Sequence, residues 1–373
     1  MKVLHICQRD DPAMGGAARV AVELVKRLNA HGIDARCLFL YGGPGGLSTE
    51  IREQSSWLGL MSSKDVLLKG GRLLAFLKET QPDIIHHHDG VTWSHLMTRL
   101  GYHGIRYGHA HNDGPQKGAP ARMRFANWVH RQTYQHLIAV SSVTAEAWTN
   151  RGFSENRVEL LPNGVDTAKF YPGSKIEQSS ARKKLDIPSE AKVLLSVGRL
   201  HLGMKGTDDF LRVISELDGD YYGVIAGVGP DEDLLRKLAA SLGVADRVRF
   251  CGLVDPVLPC YHATDLLMVT SHFEPFGLMV VEAMACGLPI AAFATTGGVM
   301  AILQKSGALI SPQRDPAHLA SLIKTAFESD EDEQKSLANL DLVKNDYSWD
   351  AAASALAASY FSRMKGGLSC LSD

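Results

Sequence analysis

Short apolar runs alternate with longer amphipathic segments along the N-terminal half of the chain. The apolar runs that predict strands are residues 3–7, 34–40, 83–87, 106–109 and 136–140. Residues 17–30 and 65–80 carry apolar side chains at helical spacing, and a capped helix is predicted from Ser142. Since strands that alternate with helices form parallel sheets, this half predicts a doubly wound α/β domain.

The same alternation starts again after residue 190. The predicted strands of this second half are residues 192–197, 221–226, 248–251, 266–269 and 289–294. An alanine-rich helix over 348–364 follows, in which Trp349 and Tyr360 are anchors for docking. We therefore predict an N-terminal domain over 1–170, a second domain over 171–347 and a terminal helical segment over 348–373. Ligands of doubly wound sheets bind at the carboxyl ends of the strands, which places a site where the two domains face each other.

Composition narrows the class of protein. The 373 residues have 45% hydrophobic and 21% charged side chains and a formal net charge of −2, so no basic field points to nucleic acid. The six cysteines form no Cys-x-x-Cys pair, which favours a reduced cytoplasmic protein. The first residues are too short for a signal peptide, and no apolar run approaches the roughly 20 residues of a membrane span. Any membrane contact is therefore expected to be peripheral.

Two glutamates eight residues apart stand in an otherwise apolar run, residues 272–289. Glu274 precedes a turn at Gly277, and Glu282 lies on the second turn of a helix predicted over 278–285. A buried carboxylate without a partner costs several kcal/mol, so two in one segment indicate a polar ligand. Spaced in this way, they could bind two separate hydroxyl-bearing parts of one molecule.

A glycine turn lies between the first strand and the first helix. Gly15 and Gly16 would let the backbone approach an anion closely, and the helix N-terminus carries partial positive charge. The pattern is not the Gly-x-Gly-x-x-Gly of dinucleotide sites. A plain flexible turn explains it equally well, so both interpretations stay open.

A comparable turn with two cations follows the predicted strand 192–197. Arg199 and Lys205 stand in it, and Thr207 is a good N-cap for the helix that follows. The fork of an arginine and the point charge of a lysine suit a diphosphate, and both would stabilise charge that develops on a leaving phosphate. Surface salt bridges are the alternative.

Histidines end two successive predicted strands, at 86–89 (His-His-His-Asp) and 109–113 (His-Ala-His-Asn-Asp). Because side chains alternate along a strand, His86 with His88, or His109 with His111, can share a face. A metal cluster is one interpretation, but no carboxylate spacing completes a known ligand set. We prefer a polar cleft lining in which one histidine works near the reacting centre, and we expect no metal and no cofactor.

Two further segments have simple explanations. The run 218–220, Asp-Gly-Asp, resembles the Asp-x-Asp of some metal sites, but turn chemistry explains it fully. Residues 122–131 are basic and aromatic and could lie on an anionic membrane surface. An amphipathic helix packed on its own domain is the simpler interpretation.

Taken together, these features resemble the retaining glycosyltransferases of family 4 over nearly the whole chain. The residues that carry the resemblance are Gly15-Gly16, His111, Leu161-Pro-Asn-Gly-Val-Asp166, Gly198-Arg199 with Lys205-Gly206, Glu274-Pro-Phe-Gly-Leu278 with Glu282, and the helix from Trp349. The resemblance implies the GT-B fold, an α/β architecture of two doubly wound Rossmann-like domains that face a cleft. In that fold the last helix crosses back to the first domain.

The resemblance also implies how a nucleoside-diphosphate sugar is bound. Glu282 would hold the ribose hydroxyls, and Glu274 would bind the hydroxyls of the sugar. The backbone N–H groups of Phe276, Gly277 and Leu278 would help Glu274.

The same resemblance implies the contacts of the diphosphate and of the reacting centre. Arg199 and Lys205 would take the diphosphate, with the Gly15-Gly16 backbone completing the cradle. His111 would lie beside the transferred sugar, and the base would lie near Gly252.

Two assignments stay open. His109 stands two residues before His111 and could be the aligned histidine instead. No second catalytic carboxylate is placed in the first domain, where Asp11 and Asp113 are the candidates.

The function implied by the resemblance is transfer of a hexose from a nucleoside-diphosphate sugar to an acceptor hydroxyl, with retention and without a metal. A UDP-sugar is favoured over a GDP-sugar. The expected acceptor is a saccharide, a lipid-linked saccharide or another hydroxyl, in polysaccharide, lipopolysaccharide or glycolipid assembly. We expect a cytoplasmic protein, with peripheral contact at the inner face of the membrane left open. The alternatives are a nucleotide-sugar epimerase or hydrolase on the same fold, and a non-catalytic nucleotide-sugar-binding protein.

Overall fold

The computed structural model describes residues 1–14, 16–88, 92–112, 120–329 and 332–369. The chain divides into two compact units, Met1–Asn163 with Trp349–Asp373, and Gly164–Ser348. Each unit is built on one parallel sheet flanked by helices, so the predicted pair of doubly wound, Rossmann-like domains is confirmed. Residues 164–170, which the sequence pattern assigns to the first domain, belong to the second unit.

The first unit contains a seven-stranded sheet. Its strands are β1 (Lys2–Arg9), β2 (Asp34–Tyr41), β3 (Ser55–Leu60), β4 (Ile84–His87), β5 (Ile105–Ala110), β6 (His136–Ala139) and β7 (Val158–Leu160). Their order is β3-β2-β1-β4-β5-β6-β7, and all neighbours are parallel. The direction of winding reverses between β1 and β4, and a ligand of such a sheet binds at the carboxyl ends there.

In the described part of residues 1–163, six α-helices are present. They are α1 (Gly16–Ala30), α2 (Ser63–Leu68), α3 (Gly70–Thr80), α4 (Thr92–Gly101), α5 (Ala121–Thr133) and α6 (Ser142–Thr149). Residues 65–80, predicted as one helix, lie in two helices that separate at Lys69, since Gly70 and Gly71 are poor residues for a helix interior. The helix predicted from Ser142 is confirmed, and Ser141 caps it by accepting a hydrogen bond from the N–H of Thr144.

The second unit contains a six-stranded parallel sheet. Its strands are β8 (Lys192–Val197), β9 (Tyr221–Ala226), β10 (Val248–Gly252), β11 (Leu266–Val269), β12 (Ile290–Phe293) and β13 (Leu309–Ser311). Their order is β10-β9-β8-β11-β12-β13, so the winding reverses between β8 and β11. The five strands predicted from the sequence for this half are all present.

Helices cover both faces of this second sheet. They are α7 (Lys175–Lys184), α8 (Leu202–Lys205), α9 (Thr207–Glu216), α10 (Glu232–Ser241), α11 (Leu258–His262), α12 (Leu278–Ala285), α13 (Val299–Lys305), α14 (Pro316–Phe327) and α15 (Asp332–Asp346). Phe210 and Leu211 of α9, Leu319 of α14 and Phe293 of β12 belong to one hydrophobic core, and all four are fully buried. Burial of one such side chain stabilises the fold by roughly 1.5–3 kcal/mol.

The last helix, α16 (Trp349–Ser369), belongs to the first unit, although the whole second unit precedes it in the chain. It packs on α1, and its Tyr360 is fully buried with its ring edge-on to Tyr107 at 5.0 Å between centroids. The predicted return of the last helix to the first domain is confirmed. Among the described residues, no helix combines the length and apolar character that a bilayer crossing demands.

Candidate functional site

The carboxyl ends of β8 and β11 bring together two of the predicted site residues. Lys205 ends α8, just after β8, and Glu274 follows β11 by five residues. The Lys205 ammonium donates a short hydrogen bond to Oε2 of Glu274. The two side chains are 22% and 12% exposed, so solvent screens this ion pair less than a surface pair. The sequence separation of the two is 69 residues, and their contact is a product of the fold.

Close backbone contacts hold both members of the pair. The N–H of Glu274 donates to the carbonyl of Thr296 at 3.0 Å, and a Cβ on Gly297 would lie 2.2 Å from the Glu274 carbonyl oxygen. Beside Lys205, Gly206 has a φ of +59°, and a Cβ there would lie 2.1 Å from the Thr270 carbonyl oxygen. Glycine is therefore required at both positions.

Glu282, the second predicted carboxylate, is buried within α12 with 8% of its surface exposed. The Tyr261 hydroxyl donates to Oε2 of Glu282 at 2.7 Å. Burial, and then the charge of Glu282, raise the pKa of the Cys286 thiol to about 12. Hydrogen bonds to a charged group stabilise by roughly 1.5–3 kcal/mol each, which helps to offset the cost of burying the carboxylate.

The start of α12 lies beside Glu274. Gly277 is the N-cap in the left-handed region, at φ +89°, and as a glycine it has no side chain that could cap this helix. A Cβ at Gly277 would lie 2.6 Å from Cγ2 of Val299 and 3.4 Å from Cγ of Glu274. Phe276 is buried next to it and Leu278 is half-buried. The first N–H groups of a helix have no partner within the helix, so this end of α12 can donate to a ligand oxygen.

Two more predicted residues lie at the carboxyl ends of this sheet. Arg199 follows β8 and is exposed. Gly252 ends β10 with a φ of +68°, and its carbonyl accepts a hydrogen bond from the N–H of Gly227 at 2.8 Å. A Cβ on Gly227 would in turn lie 1.9 Å from the carbonyl oxygen of Gly198. Three strand ends therefore meet here through glycine backbone.

In the first unit, Gly16 is the first residue of α1 and Asp11 lies in the loop after β1. Oδ1 of Asp11 accepts a hydrogen bond from the N–H of Ala13 at 2.9 Å, which assigns this carboxylate a turn-forming contact. Gly15 and Asp113 lie outside the described residues, so their predicted roles stay predictions.

The histidines that end β4 and β5 form a stack on one face of the first sheet, together with a histidine of β1. We call this group the histidine stack; its members are His5, His86, His88, His109 and His111. His109 and His111 stack at 4.3 Å between ring centroids with an interplanar angle of 9°. The alternation expected from the sequence is therefore confirmed, with both pairs sharing one face.

Hydrogen bonds link three members of the histidine stack. Nδ1 of His5 lies 2.8 Å from Nε2 of His88, and Nδ1 of His88 lies 3.1 Å from Nε2 of His111. Burial lowers the pKa of His5 and of His111 to about 3 and lowers the pKa values of His88 and His109 well below 6.5. These rings are therefore neutral at neutral pH.

Three contributors to the site were not predicted. Tyr261, 21 residues before Glu282, has no local pattern that marks it as a partner. Arg314 donates to Asp209 and to the carbonyl of Thr270, and so supports the strand end behind Gly206. Asp10 is buried and accepts hydrogen bonds from the N–H groups of Gly45 and Ser48, which ties the loop after β1 to the loop after β2.

Comparison with known proteins places these features in a family. The model of Glycosyltransferase Family 4 matches residues 14–169, and the model of Glycosyl transferases group 1 matches residues 177–339. A D-inositol 3-phosphate glycosyltransferase of Acidothermus cellulolyticus is 34% identical over 209 residues, which cover 50% of this chain and 46% of that protein. That of Segniliparus rotundus is 33% identical over 224 residues, covering 57% and 48%. The chain spans about half the length of the curated relatives it matches.

Solved structures show the same fold across nearly the whole chain. Anabaena Alr3699/HepE in complex with UDP and glucose has a TM-score of 0.84 at 20% identity, over 97% of this chain and 100% of that one. WaaG, a glycosyltransferase involved in lipopolysaccharide biosynthesis, has a TM-score of 0.75 at 16% identity, over 95% and 98%.

The two Rossmann-like sheets, with Lys205 and Glu274 paired after β8 and β11, are those of the GT-B class of glycosyltransferases. Within that class, this chain belongs to glycosyltransferase family 4.

Proposed function

We propose that this chain transfers a hexosyl group from a nucleoside-diphosphate sugar to an acceptor hydroxyl, with retention of the anomeric configuration and without a metal ion. The observation that carries the proposal is the contact of Lys205 with Glu274 at the carboxyl ends of β8 and β11, with the buried carboxylate of Glu282 on the helix that follows. A cation for phosphate and two acceptors for hydroxyl groups match the three parts of such a donor.

Donor binding exchanges the partners of the ion pair. The diphosphate takes the Lys205 ammonium and the Arg199 guanidinium, and the sugar hydroxyls take the oxygens of Glu274. Glu282, oriented by Tyr261, receives the ribose hydroxyls. Charge that develops on the leaving diphosphate is stabilised by cations already in place, which is the role that a metal would otherwise have.

Backbone groups complete the donor site. The N–H groups at the start of α12, from Phe276 to Leu278, donate to the sugar, and the backbone at Gly16 donates to the diphosphate. The base lies against the backbone at Gly252. Departure of the diphosphate and attack by the acceptor occur on the same face of the sugar. His111 lies beside the transferred sugar, and His109 is the alternative for that position.

A UDP-sugar is the donor we favour. Support comes from Anabaena Alr3699/HepE, whose crystal structures contain UDP, UDP with glucose, and UDP-glucose on the same fold. Thermal shift or calorimetry with UDP-, GDP- and ADP-sugars separates the donors, because only the correct base should stabilise the protein at micromolar concentration.

Substitution of Glu274 tests the proposal. Glu274→Gln keeps the size of the side chain and removes the charge, and we expect the rate of transfer to fall by about 100-fold or more. Binding of UDP alone should change much less, since UDP has no sugar for residue 274 to hold. Glu216→Gln, at an exposed position on α9, is the matched control and should transfer normally. Nearly intact transfer by Glu274→Gln would show that the site is wrong.

Incubation with donor and no acceptor separates the competing activities. A transferase should give slow hydrolysis only, whereas an epimerase or hydrolase should convert the donor at a rate that no acceptor increases. Binding with no turnover under any acceptor would identify a non-catalytic nucleotide-sugar-binding protein.

We also propose a saccharide or lipid-linked acceptor and peripheral contact with the inner face of the cytoplasmic membrane. On α5 the apolar side chains of Met123, Phe125 and Trp128 are 38%, 45% and 52% exposed, and Arg122 and Arg124 are exposed beside them. This combination suits an anionic lipid surface. Co-sedimentation with anionic vesicles should fall in an Arg122→Glu, Arg124→Glu double variant, and neutral vesicles should not sediment the wild type.

A further inference from the structure

We infer that His88, His109 and His111 form a binding site for one divalent transition-metal ion of the Zn²⁺ class. One nitrogen of each ring lies within 4.8 Å of the other two. His88 directly follows β4, and His109 and His111 lie on and directly after the neighbouring strand β5, so adjacent backbone places all three on one face.

The spacing of two of the nitrogens fits a shared metal ion. Zn²⁺ lies about 2.0–2.1 Å from an imidazole nitrogen, so two nitrogens at a near-tetrahedral angle are roughly 3.3 Å apart. Nδ1 of His88 and Nε2 of His111 are 3.1 Å apart. The nitrogen of His109 lies within 4.8 Å of both of these atoms.

His109 gives the independent observation. Its side chain is buried, and neither of its ring nitrogens has a hydrogen-bond partner among the described residues. A buried polar group without a partner destabilises a fold. Hydrogen bonds among the stacked rings involve His88 and His111 but not His109, whereas a metal ion would bind one nitrogen of each of the three rings.

The remaining two members of the histidine stack support the ligands. When His88 binds through Nδ1, its Nε2–H donates to Nδ1 of His5 at 2.8 Å. His86 is held by the hydroxyl of Tyr360 and stacks on His88 at 4.7 Å. Metal-binding histidines commonly donate their second N–H to such a partner, which fixes the ring and its tautomer.

The donor set selects the class of ion. Three neutral imidazoles suit Zn²⁺, Co²⁺, Ni²⁺ or Cu²⁺, whereas Mg²⁺ and Ca²⁺ need oxygen ligands. Three protein ligands leave a coordination position open, as in catalytic rather than structural zinc sites. All three ligands belong to the first unit, and the test of this site reads metal binding directly, so its outcome is distinguishable from a failure of the proposed transfer reaction.

Calorimetry with chelator-treated protein that carries no histidine tag tests the inference. Zn²⁺ should bind with one ion per chain at neutral pH, Co²⁺ should give the visible absorption of a low-coordinate ion, and Mg²⁺ should not compete. His88→Gln and His109→Gln should each weaken Zn²⁺ binding by at least about 100-fold, and His5→Gln by about 10–100-fold.

His95→Gln is the matched control, because His95 is equally buried but packs on His87, whose side chain points to the other face of the sheet. It should bind Zn²⁺ like the wild type. The inference is overturned if the wild type does not bind Zn²⁺, or if both His88→Gln and His109→Gln bind it unchanged. Should these variants fail to fold, X-ray absorption of the Zn²⁺-loaded wild type decides: three imidazoles at about 2.0–2.1 Å support the site, and oxygen ligands alone refute it.

Discussion

Single side chains give the two site carboxylates different tasks. Glu274 is held by the Lys205 ammonium, for which a phosphate can compete, whereas Glu282, on α12, is held by the hydroxyl of Tyr261 on α11. The first contact can open when a ligand arrives, and the second can stay intact while the carboxylate accepts further hydrogen bonds.

Tyr261→Phe removes the hydroxyl that orients Glu282 and leaves the ring in place. A hydrogen bond to a charged group contributes roughly 1.5–3 kcal/mol, so we expect the Kd for UDP to rise by about 10–100-fold. The value of kcat at saturating donor should change little. Calorimetry with UDP measures the first quantity and steady-state kinetics the second.

Tyr222→Phe is the control for Tyr261→Phe, since it removes a hydroxyl from a half-buried tyrosine on β9 and keeps the ring contact with Arg249. Its Kd for UDP should equal that of the wild type. Unchanged UDP binding in Tyr261→Phe would remove the ribose role from Glu282.

Gly277→Ala should destabilise the second unit more than a comparable glycine substitution elsewhere. Gly243 and Gly277 both have positive φ values, +68° and +89°, which cost an alanine about 1–2 kcal/mol. A Cβ at Gly243 meets no atom within 4 Å, whereas one at Gly277 meets Cγ2 of Val299 at 2.6 Å. In urea unfolding, Gly243→Ala should lose about that amount, and Gly277→Ala clearly more; equal losses would contradict the collision.

At this scale, the sequence predicted which residues carry charge and which turns need glycine. Arg199, Lys205, Glu274 and Glu282 stand out because charges are rare in apolar runs and after buried strands. The contact of Lys205 with Glu274 was not predicted, because a separation of 69 residues is closed only by the sheet order.

Among the elements, β4 has histidines that point to opposite faces of its sheet. His86 belongs to the histidine stack, and His87 packs on the other face against His95 of α4, which in turn contacts His130 of α5. Burial lowers the pKa of His87 to about 3 and that of His130 to about 4. For His87, the positive charges of His130 and Arg106 act in the same direction.

These shifts predict that mild acid destabilises the first unit. In the unfolded chain these histidines bind protons near pH 6.5, whereas in the folded chain the rings stay neutral down to about pH 4. The contribution of these histidines to the free energy of unfolding is therefore fully present above pH 6.5. It is lost as the pH falls, by about 1.4 kcal/mol per pH unit for each histidine. Urea unfolding between pH 7.5 and 5 measures the slope.

His130→Gln should reduce that slope, because one group no longer takes up a proton on unfolding. His31→Gln removes an exposed histidine from the turn after α1 and should keep the slope of the wild type. Equal slopes for wild type and His130→Gln would show that His130 is charged in the folded protein.

The elements that the sequence failed to predict share a physical cause. Strand β3 reads Ser-Ser-Trp-Leu-Gly-Leu, with little β-branched character, and β7 and β13 are three residues long. All three lie at the edges of their sheets, where pairing with one neighbour rather than intrinsic propensity decides the strand. Central strands such as β11 and β12 were predicted because burial on both faces makes them continuously apolar.

For the whole molecule, the division into units predicts that the second unit can fold by itself and that residues 1–163 cannot. The second unit is one continuous segment, Gly164–Ser348, with its own core. A chain of residues 164–348 should unfold cooperatively in circular dichroism and give dispersed amide resonances. A chain of residues 1–163 should not, because Tyr107 and His86 would lose the buried ring of Tyr360.

Addition of a peptide of residues 349–369 to the chain 1–163 tests the cause of that difference. Restored near-ultraviolet circular dichroism would assign the loss to α16, and a Tyr360→Ala peptide should restore much less. A stable fold of 1–163 without the peptide would contradict the prediction.

The position of α16 also has a consequence for the order in which the protein matures on the ribosome. The first unit is synthesised first, but the contacts of Tyr107 and His86 with Tyr360 cannot form until α16 has been translated, after all of the second unit. The second unit is complete earlier and can fold while the nascent first unit still exposes the surface that α16 covers, and such exposed surface is prone to aggregation. A GT-B chain with this arrangement therefore finishes its domains in the reverse of the order in which they start.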